Sequence, residues 1–122
     1  MIIGIGTDIV EIQRIEDACK RESFYRLCYT GQEQKLCGNS PALAAGNFAV
    51  KEAVSKVFGT GFRKLTLSEI EVLRDSLGKP YVNLYGAAAS LAKELGIERI
   101  HVSISDTKET VVAMAVGEGG ER

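Results

Sequence analysis

Two acidic residues far apart in the chain, Asp8 and Glu52, have the surroundings needed to build a metal–phosphate site. Asp8 ends the segment Gly4-Ile5-Gly6-Thr7-Asp8, a carboxylate at a strand-to-helix junction where functional groups are often carried. Glu52 belongs to Phe48-Ala49-Val50-Lys51-Glu52-Ala53-Val54-Ser55-Lys56. On a helix Glu52 and Lys56 lie one turn apart with Ser55 beside them, so the three share a face. Gly59-Thr60-Gly61 follows. Magnesium takes one or two carboxylates together with waters and substrate phosphates. A nearby lysine offsets phosphate charge, and backbone amides of a glycine-rich loop approach phosphate oxygens closely. Each piece also has a plainer reading: Asp8 as a helix N-cap, and Glu52–Lys56 as a surface pair worth about 0.3–0.5 kcal/mol. Their combination favours the metal–phosphate chemistry. The nucleotide motifs fail, because the Gly4–Asp8 segment lacks the third glycine of a dinucleotide fingerprint and the Lys-Ser/Thr ending of a phosphate loop. Leu77-Gly78-Lys79-Pro80-Tyr81 and Ser103-Ile104-Ser105-Asp106-Thr107-Lys108 read, taken alone, as a hairpin turn and the polar face of a half-buried strand.

The elements that must position these residues follow from hydrophobic period. Ile2 to Ile5 reads as a short buried strand ended by Gly6-Thr7-Asp8, with Thr7 or Asp8 capping the next helix. Ile9, Ile12 and Ile15 give that helix its apolar spacing, and Arg14 and Arg21, seven apart, fall on one of its faces. A short helix is predicted over Gln32 to Leu36. Asn39-Ser40-Pro41 starts a long helix from Ala42 to Phe58, stopped by Gly59. The second half changes period: a strand around Glu69–Val72, a turn, a return strand Tyr81–Leu84 with Pro80 at its start, and a helix Ala87–Leu95 closed by Gly96. Two further strands, around Ile100–Ile104 and Thr110–Val116, are followed by a fraying tail over Gly117 to Arg122. The order β, several α, ββ, α, ββ implies an α+β fold of one domain, residues 1–122, with an antiparallel or mixed sheet and helices packed on one side.

Composition narrows the function classes. A formal net charge of −1 gives no bulk attraction to nucleic acid or membrane, and the absence of Trp weakens a base-stacking single-strand binder. No apolar run approaches the roughly 18 residues of a membrane span, and a strand starting at Ile2 leaves no room for a leader, so the expectation is a cytoplasmic protein. Cys19, Cys28 and Cys37 fit neither a zinc pattern nor a disulfide framework and read as small buried residues. With His101 as its only histidine, the chain holds no multi-histidine site.

Taken in order, the motifs resemble the holo-acyl-carrier-protein synthases, the small trimer-forming branch of the 4'-phosphopantetheinyl transferases. The matching pieces are Gly4–Ile12, Phe48–Ala53, Lys56–Gly61, Leu77–Tyr81 and Val102–Ser105, across nearly the whole chain. The resemblance implies transfer of the phosphopantetheine arm of coenzyme A to a serine of apo-acyl carrier protein, releasing adenosine 3',5'-bisphosphate. It implies that Asp8 and Glu52 hold magnesium and that Lys56 sits near the phosphates. By the same match, Gly59, Thr60, Gly61, Lys79, Pro80, Ser103, Asp106 and Thr107 bind coenzyme A, in a cleft shared between subunits of a homotrimer. Arg14 and Arg21 would then dock an acidic carrier. The nucleophile belongs to the partner, and the proton acceptor stays open among Glu52, a deprotonated Lys56 and a metal-bound water. Family members often carry arginine just before the helix motif's Phe, where this chain has Asn47, and one branch has histidine where it has Asp106. A reading from another class is a non-catalytic nucleotide-binding regulatory trimer.

Overall fold

The computed structural model describes residues 1–59 and 65–120. The chain runs β1 (Ile2–Glu11), α1 (Ile12–Cys19), α2 (Glu22–Cys28), α3 (Gly31–Cys37), α4 (Pro41–Phe58), a 3-10 turn (Leu67–Glu69), β2 (Ile70–Arg74), β3 (Pro80–Leu84), α5 (Gly86–Leu95), β4 (Ile97–Asp106) and β5 (Thr110–Gly119). The strands form two antiparallel sheets, a three-stranded one in the order β1-β5-β4 and the β2–β3 hairpin. This is the α+β architecture read from the sequence, with its antiparallel strands divided between two sheets.

Helix α4 is the axis of the core. Ser40 caps its first turn by accepting from the Leu43 amide at 3.2 Å, Pro41 follows where a missing N–H costs nothing, and Gly59 ends it at φ 79°. Thirteen of its 18 residues are buried, so it is enclosed on nearly every side. One side lies against the inner face of the larger sheet, where β5 presents Val111, Ala113, Ala115 and Gly117. These small residues let helix and sheet approach closely. β1 comes closer still. A Cβ on Gly4 would meet the Val57 carbonyl oxygen at 2.5 Å, and one on Gly6 would overlap the Ala53 carbonyl. Only glycine fits where strand backbone crosses helix backbone at this distance.

Several boundaries differ from expectation. β1 does not end at Gly6-Thr7-Asp8 but continues to Glu11, because β5 pairs with it in unbroken register from Gly4↔Gly117 to Glu11↔Thr110. A complete backbone partner overrides three residues that look like a turn in isolation. Asp8 is therefore mid-strand, opposite Ala113, and is not an N-cap. The N-cap of α1 is Glu11, without a side-chain bond, and the Ile12 amide donates to the Glu109 carbonyl at 2.9 Å instead. Ile9 belongs to the strand and not to the first helix. That helix breaks at Lys20-Arg21, and α2 turns Phe24 and Cys28 inward, with Phe24 6.0 Å from the Phe48 ring. The tail expected to fray from Gly117 remains in β5 through Gly119, tied by the Gly119 amide to the Met1 carbonyl at 2.8 Å.

The cysteines are free. Cys28 and Cys37 are buried, and burial pushes both thiols up to about 11, which suits packing residues and not nucleophiles.

Replacing Gly6 by Ala is expected to force β1 away from α4 and to lower stability by about 1–3 kcal/mol, as overpacking does. Urea unfolding checks this; an unchanged midpoint would contradict the close crossing.

Candidate active site

The β1–α4 crossing sets the geometry. Gly4, Gly6, Asp8 and Val10 alternate on the face of β1 turned to α4, so Asp8 reaches the helix two residues beyond the point of closest approach. Lys56 donates to the Thr7 carbonyl at 2.8 Å and lies 3.5 Å from Asp8 Oδ1. Thr7 Oγ1 in turn donates to the Ala113 carbonyl at 3.1 Å, bracing the same stretch of strand. The pairing considered from the sequence, Glu52 with Lys56 on one helix, is thus replaced by a long-range pair between Lys56 and Asp8. Ser55 does not join them, being buried with its Oγ bonded to the Glu52 carbonyl at 2.7 Å.

Glu52 completes the group. Its carboxyl is held above the usual range, first by burial and then by the charge of Asp8, against smaller opposing effects of Lys56 and Arg14. The charge of Asp8 raises the cost of ionising Glu52, and the lysine that pairs with Asp8 is itself half-exposed and offsets only part of it. Asp8 Oδ2 is the matching sign: it is buried and, among the described residues, accepts no hydrogen bond. A buried carboxylate oxygen left orphaned is costly and calls for a ligand. The residues fit a hard divalent cation with two carboxylate ligands, the remaining positions left to water and phosphate oxygens. Among the described residues no group of three or more His, Cys, Asp or Glu could hold a metal ion.

The other residues singled out in the sequence are distributed as follows. Arg14 and Arg21 lie on different elements, α1 and the N-cap of α2, so the shared-helix argument fails. They nevertheless line one groove, Arg14 over the Phe48 ring and Arg21 over Phe24, each 5.9 Å from the centroid. Lys79 is exposed at the β2–β3 turn, with its amide bonded to Asp75 Oδ1 at 2.9 Å, and Pro80 opens β3. Ser103 and Asp106 are exposed along β4, remote in sequence from α4. Thr107 holds the β4–β5 turn, its Oγ1 accepting from the Glu109 and Thr110 amides at 3.3 and 3.1 Å. Thr60 and Gly61 lie outside the described residues. Within this chain the structure gathers Asp8, Glu52 and Lys56, with Arg14 near Glu52.

Asn47 is fully buried, so this position serves the interior. It belongs to a polar network that the sequence reading missed. Lys51, with no exposed surface, donates to Glu33 Oε1 at 2.7 Å and to the Leu67 and Ile70 carbonyls at 3.0 and 2.5 Å. Glu33 Oε2 accepts from Asn47 Nδ2 at 3.0 Å and from the Val72 amide at 3.2 Å. Asn47 Oδ1 accepts from Arg74 at 2.9 Å. The signal was present: Asn47, Lys51 and Ser55 form an i, i+4 polar stripe, separate from Glu52 and Lys56, on a mostly apolar helix.

Residues 4–115 match the 4'-phosphopantetheinyl transferase superfamily, and the chain belongs to that family. It is 63% identical over 118 residues to a holo-[acyl-carrier-protein] synthase of Lachnoclostridium phytofermentans, covering 97% of both chains. Among solved structures it resembles a Plasmodium yoelii acyl carrier protein synthase with ADP bound, at a TM-score of 0.90 and 34% identity over 99% of this chain and 98% of that one. A Helicobacter pylori holo-[acyl-carrier-protein] synthase in complex with coenzyme A is similar at a TM-score of 0.84 and 31% identity over 93% and 99%.

Two outcomes follow from the electrostatics. Because the folded state raises the Glu52 pKa, its penalty is present above that raised pKa and disappears as pH falls through it. Glu52→Gln is therefore expected to raise Tm in metal-free buffer at neutral pH, checked by calorimetry in chelator; a lowered Tm would refute the strained pair. Lys51→Met should cost about 3–5 kcal/mol by leaving Glu33 buried without its cation, and the double change Lys51→Met/Glu33→Leu should recover part of that loss in urea unfolding.

Proposed function

We propose that the whole described chain works as one phosphopantetheinyl transferase domain, with Asp8, Glu52 and Lys56 as its catalytic residues. The chain transfers the 4'-phosphopantetheine arm of coenzyme A to a serine of apo-acyl carrier protein. The serine oxygen forms a new bond to the phosphorus that carries the pantetheine arm, and that phosphorus loses its bond to the adenosine 3',5'-bisphosphate leaving group. The observation that carries the reading is the orphaned Asp8 oxygen beside Glu52 and Lys56, in a chain whose close relatives are named for this reaction.

Asp8 and Glu52 would hold magnesium, which when bound offsets charge on the pyrophosphate. Lys56, fixed by the Thr7 carbonyl, adds a positive charge on the exposed side of the site. As the oxygen–phosphorus bond forms, the serine hydroxyl proton passes to a base of this same site. Positioning and charge neutralisation supply most of the catalysis, since phosphoryl-type transfer needs no nucleophile from the enzyme. Arg14, near Glu52, and Arg21, both exposed over aromatic rings of one groove, form the docking patch for the acidic carrier.

The unit is a homotrimer. The outer face of the β1-β5-β4 sheet exposes Ile5 (64%), Ile9 (65%), Val112 (39%) and Met114 (51%), an apolar patch where an isolated sheet would alternate to polar residues. A second copy covering this face brings a neighbour's β4 and β2–β3 turn toward Asp8 and Glu52. Lys79, Pro80, Ser103, Asp106 and Thr107 then bind coenzyme A together with Lys56, Gly59, Thr60 and Gly61. The protein works on its carrier in the cytoplasm, in fatty-acid synthesis; no described helix is long and apolar enough to cross a membrane.

Incubation with coenzyme A, magnesium and apo-carrier should add one phosphopantetheine mass to the carrier. Asp8→Ala and Glu52→Ala should each lower turnover at least about a thousandfold with the fold retained by circular dichroism. Mass spectrometry showing an unmodified carrier, or full activity in either variant, would overturn the reading. Met114→Glu should shift the light-scattering mass from three chains toward one; a wild-type mass of one chain would refute the trimer.

A further inference from the structure

Five residues, 60–64, join Gly59 at the end of α4 to Leu65. At the first end Gly59 takes the left-handed conformation, φ 79°, and its amide donates to the Lys56 carbonyl at 3.0 Å. At the second end three anchors meet. Leu65 is buried in the core. Lys51 reaches from α4 to the Leu67 and Ile70 carbonyls at 3.0 and 2.5 Å. Glu69 supplies the third, and neither the carboxylate pair nor the carrier groove makes use of it.

The Glu69 carboxylate is divided between two elements. Oε1 accepts from the Thr66 amide at 2.7 Å and from Thr66 Oγ1 at 3.1 Å, reaching back over the 3-10 turn as a capping glutamate does. Oε2 accepts from the Ala87 amide in the first turn of α5. The chain makes room for it, since Gly86 sits at φ 55° and a Cβ there would collide with Glu69 Oε2. The Glu69 backbone repeats the link: its amide donates to the Thr66 carbonyl at 3.0 Å, and its carbonyl accepts from the Tyr85 amide at 2.9 Å. These donors, the Thr66 amide foremost, hold the carboxyl below the usual range, so it stays an ionised acceptor at neutral pH.

We infer that Glu69 is a positioning residue for coenzyme binding: by tying Thr66 to α5 it fixes the far end of this connection, so that the Gly59 end presents its backbone amides to phosphate. A connection of five residues cannot let one end shift freely of the other, because each residue spans at most about 3.6 Å. With the Thr66 end released, the segment must be ordered again each time coenzyme binds, and that ordering is subtracted from the affinity. Glu69 acts only through the backbone and touches no reacting atom. The assignment rests on the reading of Gly59, Thr60 and Gly61 as coenzyme-binding residues given above.

Glu69→Gln keeps the shape of the side chain but turns an NH2 group toward a donor, either Thr66 or Ala87. Hydrogen exchange at the Thr66 and Ala87 amides should quicken. In titration calorimetry of the whole protein with magnesium and coenzyme A, Kd should rise about tenfold, the cost of re-ordering about one residue of backbone. The kcat at saturating coenzyme A and the KM for apo-carrier should stay within about twofold, because only ground-state binding is lost. Thr66→Val, which loses Oγ1 and keeps the amide, should raise Kd about threefold, and it carries the test if Glu69→Gln fails to fold. Tyr29→Phe removes the buried bond to the Ala44 carbonyl of α4, 2.7 Å long, and should lower Tm with coenzyme affinity unchanged. An unchanged Kd in whichever of the Glu69 and Thr66 variants folds, a rise matched by Tyr29→Phe, or a loss of kcat with affinity kept would overturn the positioning role. Wild type that neither binds coenzyme A nor transfers its arm would instead refute the reading on which the inference rests.

Discussion

The backbone of β1 crosses the backbone of α4 at a distance that no side chain tolerates, and the functional arrangement descends from that contact. Gly4 and Gly6 face the Val57 and Ala53 carbonyls, so strand and helix meet without intervening side chains. The next inward position on the strand is Asp8, and the nearby turns of the helix carry Glu52 and Lys56. Had either glycine been replaced by a larger residue, the strand would stand off and the carboxylates would separate. The small residues Ala113, Ala115 and Gly117 of β5 serve the same approach from the middle of the sheet.

That closeness carries an electrostatic cost, and the cost indicates what the site is for. Glu52 is raised by burial and by Asp8, while one oxygen of Asp8 has no donor among the described residues. A protein selected only for stability would have replaced one acid or supplied a donor. Lys56 repairs part of the imbalance, and the proposed divalent cation would supply the rest.

A second buried polar assembly holds the other side of α4. Lys51, Glu33 and Asn47 tie α4 to α3 and to the start of β2, satisfying several backbone groups around the 3-10 turn. Such a network contributes little net stability over an apolar replacement, but removing one member leaves an unpaired buried charge. Its product is a fixed placement of the β2–β3 hairpin, including Arg74, relative to the helix that carries Glu52.

The sequence by itself determined the element types of most of the chain, because period, capping and turn chemistry are local. Ser40-Pro41 and Gly59 bound α4, Gly96 closes α5, and the alternation along Ile100–Ile104 and the Lys79-Pro80 turn appear in the structure as expected. The ordered motifs also determined the family and singled out Asp8, Glu52 and Lys56. Tertiary structure decided the rest. It carried β1 through Gly6-Thr7-Asp8 by giving it a full partner in β5, converting Asp8 from a supposed helix cap into a strand residue. It moved Lys56 from Glu52 to Asp8, and it brought Arg14 and Arg21 to one groove from two helices. It buried Asn47 and Lys51 and exposed Ile5 and Ile9. Those outcomes depend on which surfaces meet, and long-range pairing is set by the sum of packing over the whole fold, not by any short stretch of residues.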